Sequence, residues 1–308
     1  MVRRSIAVFA SASLVVAAAS ASALTPVKVL GGPTDQYRPT SNGTHLAWTL
    51  YAHRHNDVYV KRLGSSGQTR VNATGTGGAL GSFVGATDKL IYGQWKPRGD
   101  SDLFFYDVSS RTRTKAPPVV NSRKWEWFPL ASSNYILFLR DTISNAGRVV
   151  NTALLRFDRT KGILKTVIAD VGRKSVFPGS AGTDNVAWSV CGSTCNGYIW
   201  NGSTKTTRKI PLPNGKAQYA PTIDESNGQV YFVRSGLKCG RGVTIRRAPL
   251  TSLNSSTTVA SLPAGIDTDW SMSVATNPST SNQDLYFGRW NCAQKQTDVY
   301  VIRGADRA

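Results

Sequence analysis

The chain has 308 residues, 40% hydrophobic and 18% charged, with 37 Lys and Arg against 18 Asp and Glu, a formal net charge of +19. That length suits one large all-β domain or two ordinary ones, and the charge favours anionic partners without naming one. Two Glu (Glu126 and Glu225), three His and four Cys leave little material for acid–base or metal chemistry and too few cysteines for a disulfide framework.

Residues 1–23 have the parts of a secretory leader: Arg3 and Arg4, an apolar run from Ile6 to Ala19, then small residues to Ala23, where cleavage is expected. The run is shorter than the ~20 residues of a bilayer span, and no later stretch is apolar enough, so the mature chain is expected to be exported without a transmembrane segment.

From Leu24 to Ala308 the sequence repeats. His45–Trp48, Lys89–Tyr92, Tyr135–Phe138, Asn185–Trp188, Gln229–Phe232 and Asp284–Phe287 are short apolar-aromatic runs whose last residues lie 44 to 55 positions apart. A period of this size indicates propeller blades, each a four-stranded unit that cannot bury its faces alone. Before the runs come Tyr37-Arg-Pro39, Trp127-Phe-Pro129, Val176-Phe-Pro178 and Tyr219-Ala-Pro221, with Phe83-Val-Gly85 and Trp270-Ser-Met272 as degenerate copies. After each run come a polar hairpin and a third strand such as Asp57–Val60, Asp102–Phe105 or Asp298–Val301.

Five units continue into a fourth strand, but the sixth stops at Ala308 without one. Pro26-Val-Lys-Val-Leu30, ahead of the first unit, matches the missing segment. The expected fold is therefore all-β: a six-bladed propeller of four-stranded antiparallel blades, closed by the N-terminal strand in the last blade. Two β-sandwich domains would also supply many short strands, but not six copies in register with a spare first strand.

The first unit, Tyr37-Arg-Pro-Thr-Ser-Asn-Gly-Thr-His-Leu-Ala-Trp48 followed by Asn56-Asp-Val-Tyr-Val60, resembles the TolB-like propeller repeat, and Thr297-Asp-Val-Tyr-Val301 repeats its second half. The resemblance spans nearly the whole mature chain. It implies a periplasmic or extracellular scaffold that binds other proteins, with hydrolases or lyases as a smaller set. The α/β domain that precedes the propeller in TolB itself has no room here, so its envelope-complex role is not carried over.

Functional groups of a propeller are expected on loops around one channel mouth. Glu126 and Asp269, beside the inner aromatics of units three and six, are the candidate catalytic carboxylates if they oppose across the channel. His53 and His55 offer two ligands without a third, so no metal site is assigned, and no cofactor is called for. No Gly-x-Ser-x-Gly elbow or phosphate loop is present. Trp95, Lys96 and Arg98, with Arg289 and Trp290, are candidate binding residues on hairpins, together with His53 and His55. Lys and Arg cluster in outer strands, either as a solvated rim or as a polyanion surface. Four cysteines allow three connectivities. The pairs Cys191–Cys195, within one hairpin, and Cys239–Cys292, at matching hairpin positions of neighbouring units, are expected.

The leading expectation is a secreted, non-enzymatic binding propeller that engages a protein or an acidic cell-wall polymer or glycan, with no sequence-specific recognition of nucleic acid. The alternative is a channel-mouth hydrolase or lyase acting on a glycan or peptide.

Overall fold

A computed structural model describes residues 23–52, 55–95, 101–144, 146–170 and 174–308; the leader segment, and with it the expected cleavage signal, lies outside the described residues. Strand β1 (Val27–Leu30) precedes blade 1, which comprises β2 (Asp35–Ser41), β3 (His45–Ala52), β4 (His55–Arg62) and β5 (Thr69–Arg70). Blade 2 holds β6 (Gly77–Phe83), β7 (Lys89–Trp95), β8 (Ser101–Asp107) and β9 (Thr112–Lys115). Blade 3 holds β10 (Trp125–Ala131), β11 (Tyr135–Ile143), β12 (Val149–Asp158) and β13 (Ile163–Ile168). Blade 4 holds β14 (Ser175–Ala181), β15 (Asn185–Cys191), β16 (Cys195–Asn201) and β17 (Thr207–Lys209). Blade 5 holds β18 (Ala217–Asp224), β19 (Gln229–Ser235), β20 (Thr244–Pro249) and β21 (Thr257–Ser261). Blade 6 holds β22 (Ile266–Thr276), β23 (Gln283–Asn291) and β24 (Gln296–Ile302).

Six four-stranded antiparallel sheets result, and the sixth has the order β1, β24, β23, β22. Val27 pairs with Val301, Lys28 with Tyr300 and Leu30 with Val299, so the N-terminal strand closes the ring as the repeat pattern requires. Val29 and Leu30 pack with Leu46, Trp48, Tyr286, Val299 and Val301, a cluster that joins blade 6 to blade 1. The second-strand runs bury their alternating residues between blades; Leu46, Tyr92, Phe138, Val230 and Phe287 are among the fully buried side chains.

Each inner strand carries an irregularity at the same place. Register shifts fall between Tyr37 and Thr40, Trp127 and Leu130, Pro178 and Ser180, and Tyr219 and Thr222, with comparable breaks in blades 2 and 6. The prolines explain most of them, since Pro39, Pro129, Pro178 and Pro221 have no N–H for the ladder and are tolerated at bulges. Arg38, Phe128, Ala220 and Trp270 take positive φ of 56°, 49°, 51° and 70° at these points. Except in blade 2, where the bulge residue is Gly81, the bulge turns one side chain toward the axis.

Contacts between non-adjacent blades show the result. The Arg38 guanidinium of blade 1 lies over the Phe128 ring of blade 3, 3.1 Å from its centroid. Trp270 of blade 6 stacks on Phe177 of blade 4 at 5.1 Å and touches Tyr219 of blade 5 at 4.2 Å. These groups plug the channel and leave one cavity on each side of the plug.

Several basic outer-strand residues are staples between blades rather than a free rim. The Arg113 side chain of blade 2 donates to the Val71 carbonyl of blade 1, and Arg208 of blade 4 to the Leu250 carbonyl of blade 5 at 2.6 Å. Arg156 of blade 3 lies 3.4 Å from the Trp200 ring centroid of blade 4, and Arg247 of blade 5 donates to the carbonyls of Asp306 and Ala308.

Candidate functional site

The hairpins that join second to third strands, and the links between blades, all emerge on one face. There a cavity of about 710 Å³ opens between blades 1, 4, 5 and 6. Its aromatic walls are Tyr37, Tyr51, Tyr219, Trp270 and Trp290, and its polar groups include Asp35, Asn56, Lys238, Asp267 and Asp269. Trp270 is the floor, because it also lines the cavity on the opposite side.

The polar groups are held by local bonds. The Tyr37 hydroxyl donates to Asn56 Oδ1 at 2.7 Å, which ties the inner strand to its own hairpin. The Tyr219 hydroxyl donates to Asp267, whose Oδ1 also accepts from the Thr268 amide at 2.8 Å. Asp35 Oδ1 accepts from the Thr297 amide at 3.0 Å, fastening blade 1 to blade 6 beside the closure. Burial pushes the Tyr37 phenol up to about 12, and burial with the Asp267 charge holds Tyr219 well above the usual phenol range. Both hydroxyls therefore remain protonated at neutral pH and act as fixed donors rather than bases.

Asp269 lies against Gly288, where a Cβ would fall 2.2 Å from its Oδ2; glycine there makes the room. Its Oδ2 accepts from the Arg38 amide at 2.5 Å, and its Oδ1 from the Ser271 hydroxyl at 2.9 Å. Burial raises its pKa, with these hydrogen bonds opposing.

Glu126 and Asp269 are not brought together. Glu126 is fully buried and lines neither cavity; its Oε1 accepts from Ser122 Oγ at 2.6 Å and Arg140 Nε at 2.8 Å. Arg140 in turn donates to the Val120 carbonyl at 2.6 Å, holding the link from blade 2. The same device recurs in blade 5, where Arg234 donates to Gln218 Oε1 at 3.0 Å and to the Pro211 carbonyl at 3.1 Å. A neutral amide does there what the carboxylate does in blade 3, which makes Glu126 a clamp for the interblade link. What does meet across the channel is the Arg38–Phe128 and Trp270–Phe177 pairs.

Glu126→Gln is accordingly expected to fold, with stability within ~1 kcal/mol of the wild type in acid, the scale of one hydrogen bond. Burial raises the Glu126 pKa, so the folded state holds that proton longer than the unfolded chain. The stability it contributes is present below the ordinary carboxyl pKa and is lost as pH rises through the raised one. Urea midpoints should therefore shift in favour of the Gln variant between pH 4 and pH 7; a shift in favour of the wild type over that range contradicts the assignment.

Among the sequence-derived binding residues that are described, only Trp290 lines the cavity. Trp95 lies over Gly77, where a Cβ would come within 2.3 Å of Nε1, and the Arg289 guanidinium sits 4.8 Å from the Tyr300 ring centroid; both pack within their blades. His55 Nε2 is 3.3 Å from Asp57 Oδ1, while His53, Lys96 and Arg98 lie outside the described residues. Among the described residues, no three His, Cys, Asp or Glu side chains gather as metal ligands. Disulfides join Cys191 to Cys195 and Cys239 to Cys292, and both bridges border the cavity through Cys195 and Cys239. Tyr219, Trp270 and Asp35 went unrecognised, although Tyr219 stands at the aromatic position of its repeat; Trp270 falls one position later, at the bulge.

The fold is similar to that of several solved structures. A protein from Agrobacterium tumefaciens assigned to TolB is 11% identical, with a TM-score of 0.56 over 88% of this chain and 91% of that one. TolB from Acinetobacter baumannii is 9% identical, at 0.51 over 87% and 63% of the two chains. Oligogalacturonate lyase in complex with manganese is 14% identical, at 0.51 over 89% and 83%. At these identities the likeness is one of fold. No family model and no curated protein matches the chain.

Taken together, the cavity offers aromatic walls, two phenols whose protons are donated within the protein, and carboxylates held by local bonds.

Proposed function

We propose that this chain is a secreted TolB-like scaffold that binds a protein partner through its hairpin face, with the partner's side chain entering the aromatic cavity. The distribution of exposed apolar side chains carries this reading. Tyr51, Trp125, Val149, Val150 and Leu237 all stand on the hairpin face, Val150 and Leu237 at 60% exposure, whereas only Val27 and Ile163 of comparable exposure lie on outer strands. Exposed apolar patches rimmed by polar groups mark interaction surfaces.

Around this patch stand Arg123, Lys124, Arg148, Lys216, Lys238 and Lys295, exposed and without an ion pair among the described residues. The nearby carboxylates, by contrast, are engaged: Asp57 by Arg70, Asp102 by Lys115 and Asp298 by Lys28. A partner with an acidic rim around an apolar centre is complementary to such a face. A plain acidic wall polymer would use the charge but leave the apolar residues unused, so a protein is favoured. The two disulfides fit an oxidising, extracellular setting.

A photo-crosslinker at Leu237 should capture a discrete protein from envelope extracts of the source organism, while one at Lys209, on an outer strand, should not. Trp290→Ala is expected to weaken that capture about tenfold or more, as loss of an interface aromatic does. Equal capture from both positions, or salt-sensitive retention on wall polymer with no protein adduct, would replace the protein reading with a polyanion one.

A further inference from the structure

On the face opposite the hairpins, where first strands turn into second strands, the channel opens into a second cavity of about 770 Å³ reached by all six blades. We propose that this cavity is an anion-binding site centred on the Arg38 guanidinium, taking a small molecule through a terminal carboxylate or phosphate group.

Arg38 is placed there by its backbone. The bulge before Pro39 puts the residue at a φ of 56°, and the amide is pinned by Asp269 Oδ2. Non-glycine residues held in this region require over-determination by their surroundings and concentrate where function needs them. At the matching bulge positions blades 2 to 6 present Gly81, Phe128, Phe177, Ala220 and Trp270, so among these six positions the cation is Arg38. Its face rests on Phe128, and its side-chain N–H groups make no hydrogen bond to protein among the described residues.

The carboxylates near it keep their charge but are tied into their own turns. Asp269 is occupied by the Arg38 amide and by Ser271. Asp224 accepts from Ser226 Oγ at 2.6 Å and Asn227 Nδ2 at 2.9 Å. Glu225 caps the blade 4 turn through the amides of Thr183, Asp184 and Asn185. Lys89 at the rim is exposed and unpaired among the described residues, and Arg159 is turned onto the Ser132 carbonyl. The cavity thus presents cations with donors to spare and carboxylates with few acceptors left. Ser273, in the same lining, has a buried hydroxyl with no hydrogen-bond partner among the described residues.

The guanidinium is half-buried at the cavity wall, and desolvation pulls its pKa down to about 10. It remains a cation at neutral pH, and its planar fork matches the two oxygens of a carboxylate or phosphate. The cavity is far larger than one such group, so the anion is the terminus of a larger ligand.

Inorganic phosphate and glucuronate are the probes, titrated calorimetrically into the intact protein against chloride at matched ionic strength. Saturable one-to-one binding is expected, with a rise in Tm that follows ligand concentration. Arg38→Met should weaken it at least tenfold, Lys89→Glu several-fold, and Lys209→Ala not at all. A preference for phosphate over glucuronate would point to a phosphorylated ligand, and the reverse to a uronate or other carboxylate. Absence of saturable binding to the wild type, or unchanged affinity in Arg38→Met, overturns the proposal; if Arg38→Met does not fold, unchanged affinity in Lys89→Glu does so. The hairpin-face crosslink at Leu237 is independent of these outcomes.

Discussion

A chain beginning at Gly31 is expected to lose most of its stability, because it lacks the fourth strand of blade 6. The backbone pairing of Val27, Lys28 and Leu30 with β24 disappears, as does the Lys28–Asp298 ion pair at 2.6 Å. Val29 and Leu30 leave the cluster around Trp48, and Val299 and Val301, now fully buried, come to lie on an open edge. Full burial of an aliphatic side chain is worth ~1.5–3 kcal/mol; Val29 and Leu30 are partly buried, so with the cover they give Val299 and Val301 the apolar term is roughly 3 kcal/mol. A domain's total stability is only ~5–15 kcal/mol, and the ion pair, half-exposed at its lysine, adds little. Urea unfolding should show a large drop in midpoint, and light scattering should reveal self-association through the exposed edge of β24. A monomer with an unchanged midpoint would show that the ring holds without its latch.

Replacing both Cys239 and Cys292 by Ser is the second large effect. The two residues are 53 positions apart, a span for which loop-closure entropy corresponds to about 4 kcal/mol. The Cys191–Cys195 bridge, four positions apart, closes a loop worth only about 2 kcal/mol on the same basis. Chemical denaturation of the two double variants should therefore rank them clearly, and equal losses would contradict the entropic account. The longer bridge also fastens the blade 5 hairpin to blade 6 beside Gly265, whose carbonyl accepts from the Cys292 amide at 3.0 Å. Leu237 and Lys238 sit on that hairpin, so capture by a crosslinker at Leu237 should fall together with stability in this variant.

The glycine at position 288 links this stability to the site. Any side chain there meets Asp269, and Asp269 holds the Arg38 amide; the bulge of blade 1 thus depends on a residue in blade 6.

Much of this architecture was legible in the residues. Six second-strand runs at near-constant spacing, with a spare strand at one end and a missing one at the other, specify both the ring and its latch, because a blade's strands alternate in and out with a period of two. The cysteine pairs followed from their shared hairpin positions in adjacent units. The site was less legible. Pro39, Pro129, Pro178 and Pro221 were visible as repeat markers, but a proline in a strand does not say which neighbour a bulge turns outward, and a shift of one residue reverses every side chain's direction.

For that reason Glu126 and Asp269 looked like a facing pair while Arg38, Phe128, Phe177 and Trp270 looked like ordinary inner-strand residues. Glu126 and Gln218 were recognisable as equivalents, yet only the register of β10 against β11 and of β18 against β19 gives each an arginine to clamp. The surplus of basic residues was equally ambiguous, since the same Arg at an outer strand either faces solvent or reaches a neighbouring blade's carbonyl. Sequence periodicity alone determined the number of blades, their strand order and the closure, since those depend on short-range alternation and turn chemistry. Which side chains plug the channel, which line its two mouths and which arginines are free was decided by the tertiary structure, because bulges and blade-to-blade packing join residues tens to hundreds of positions apart.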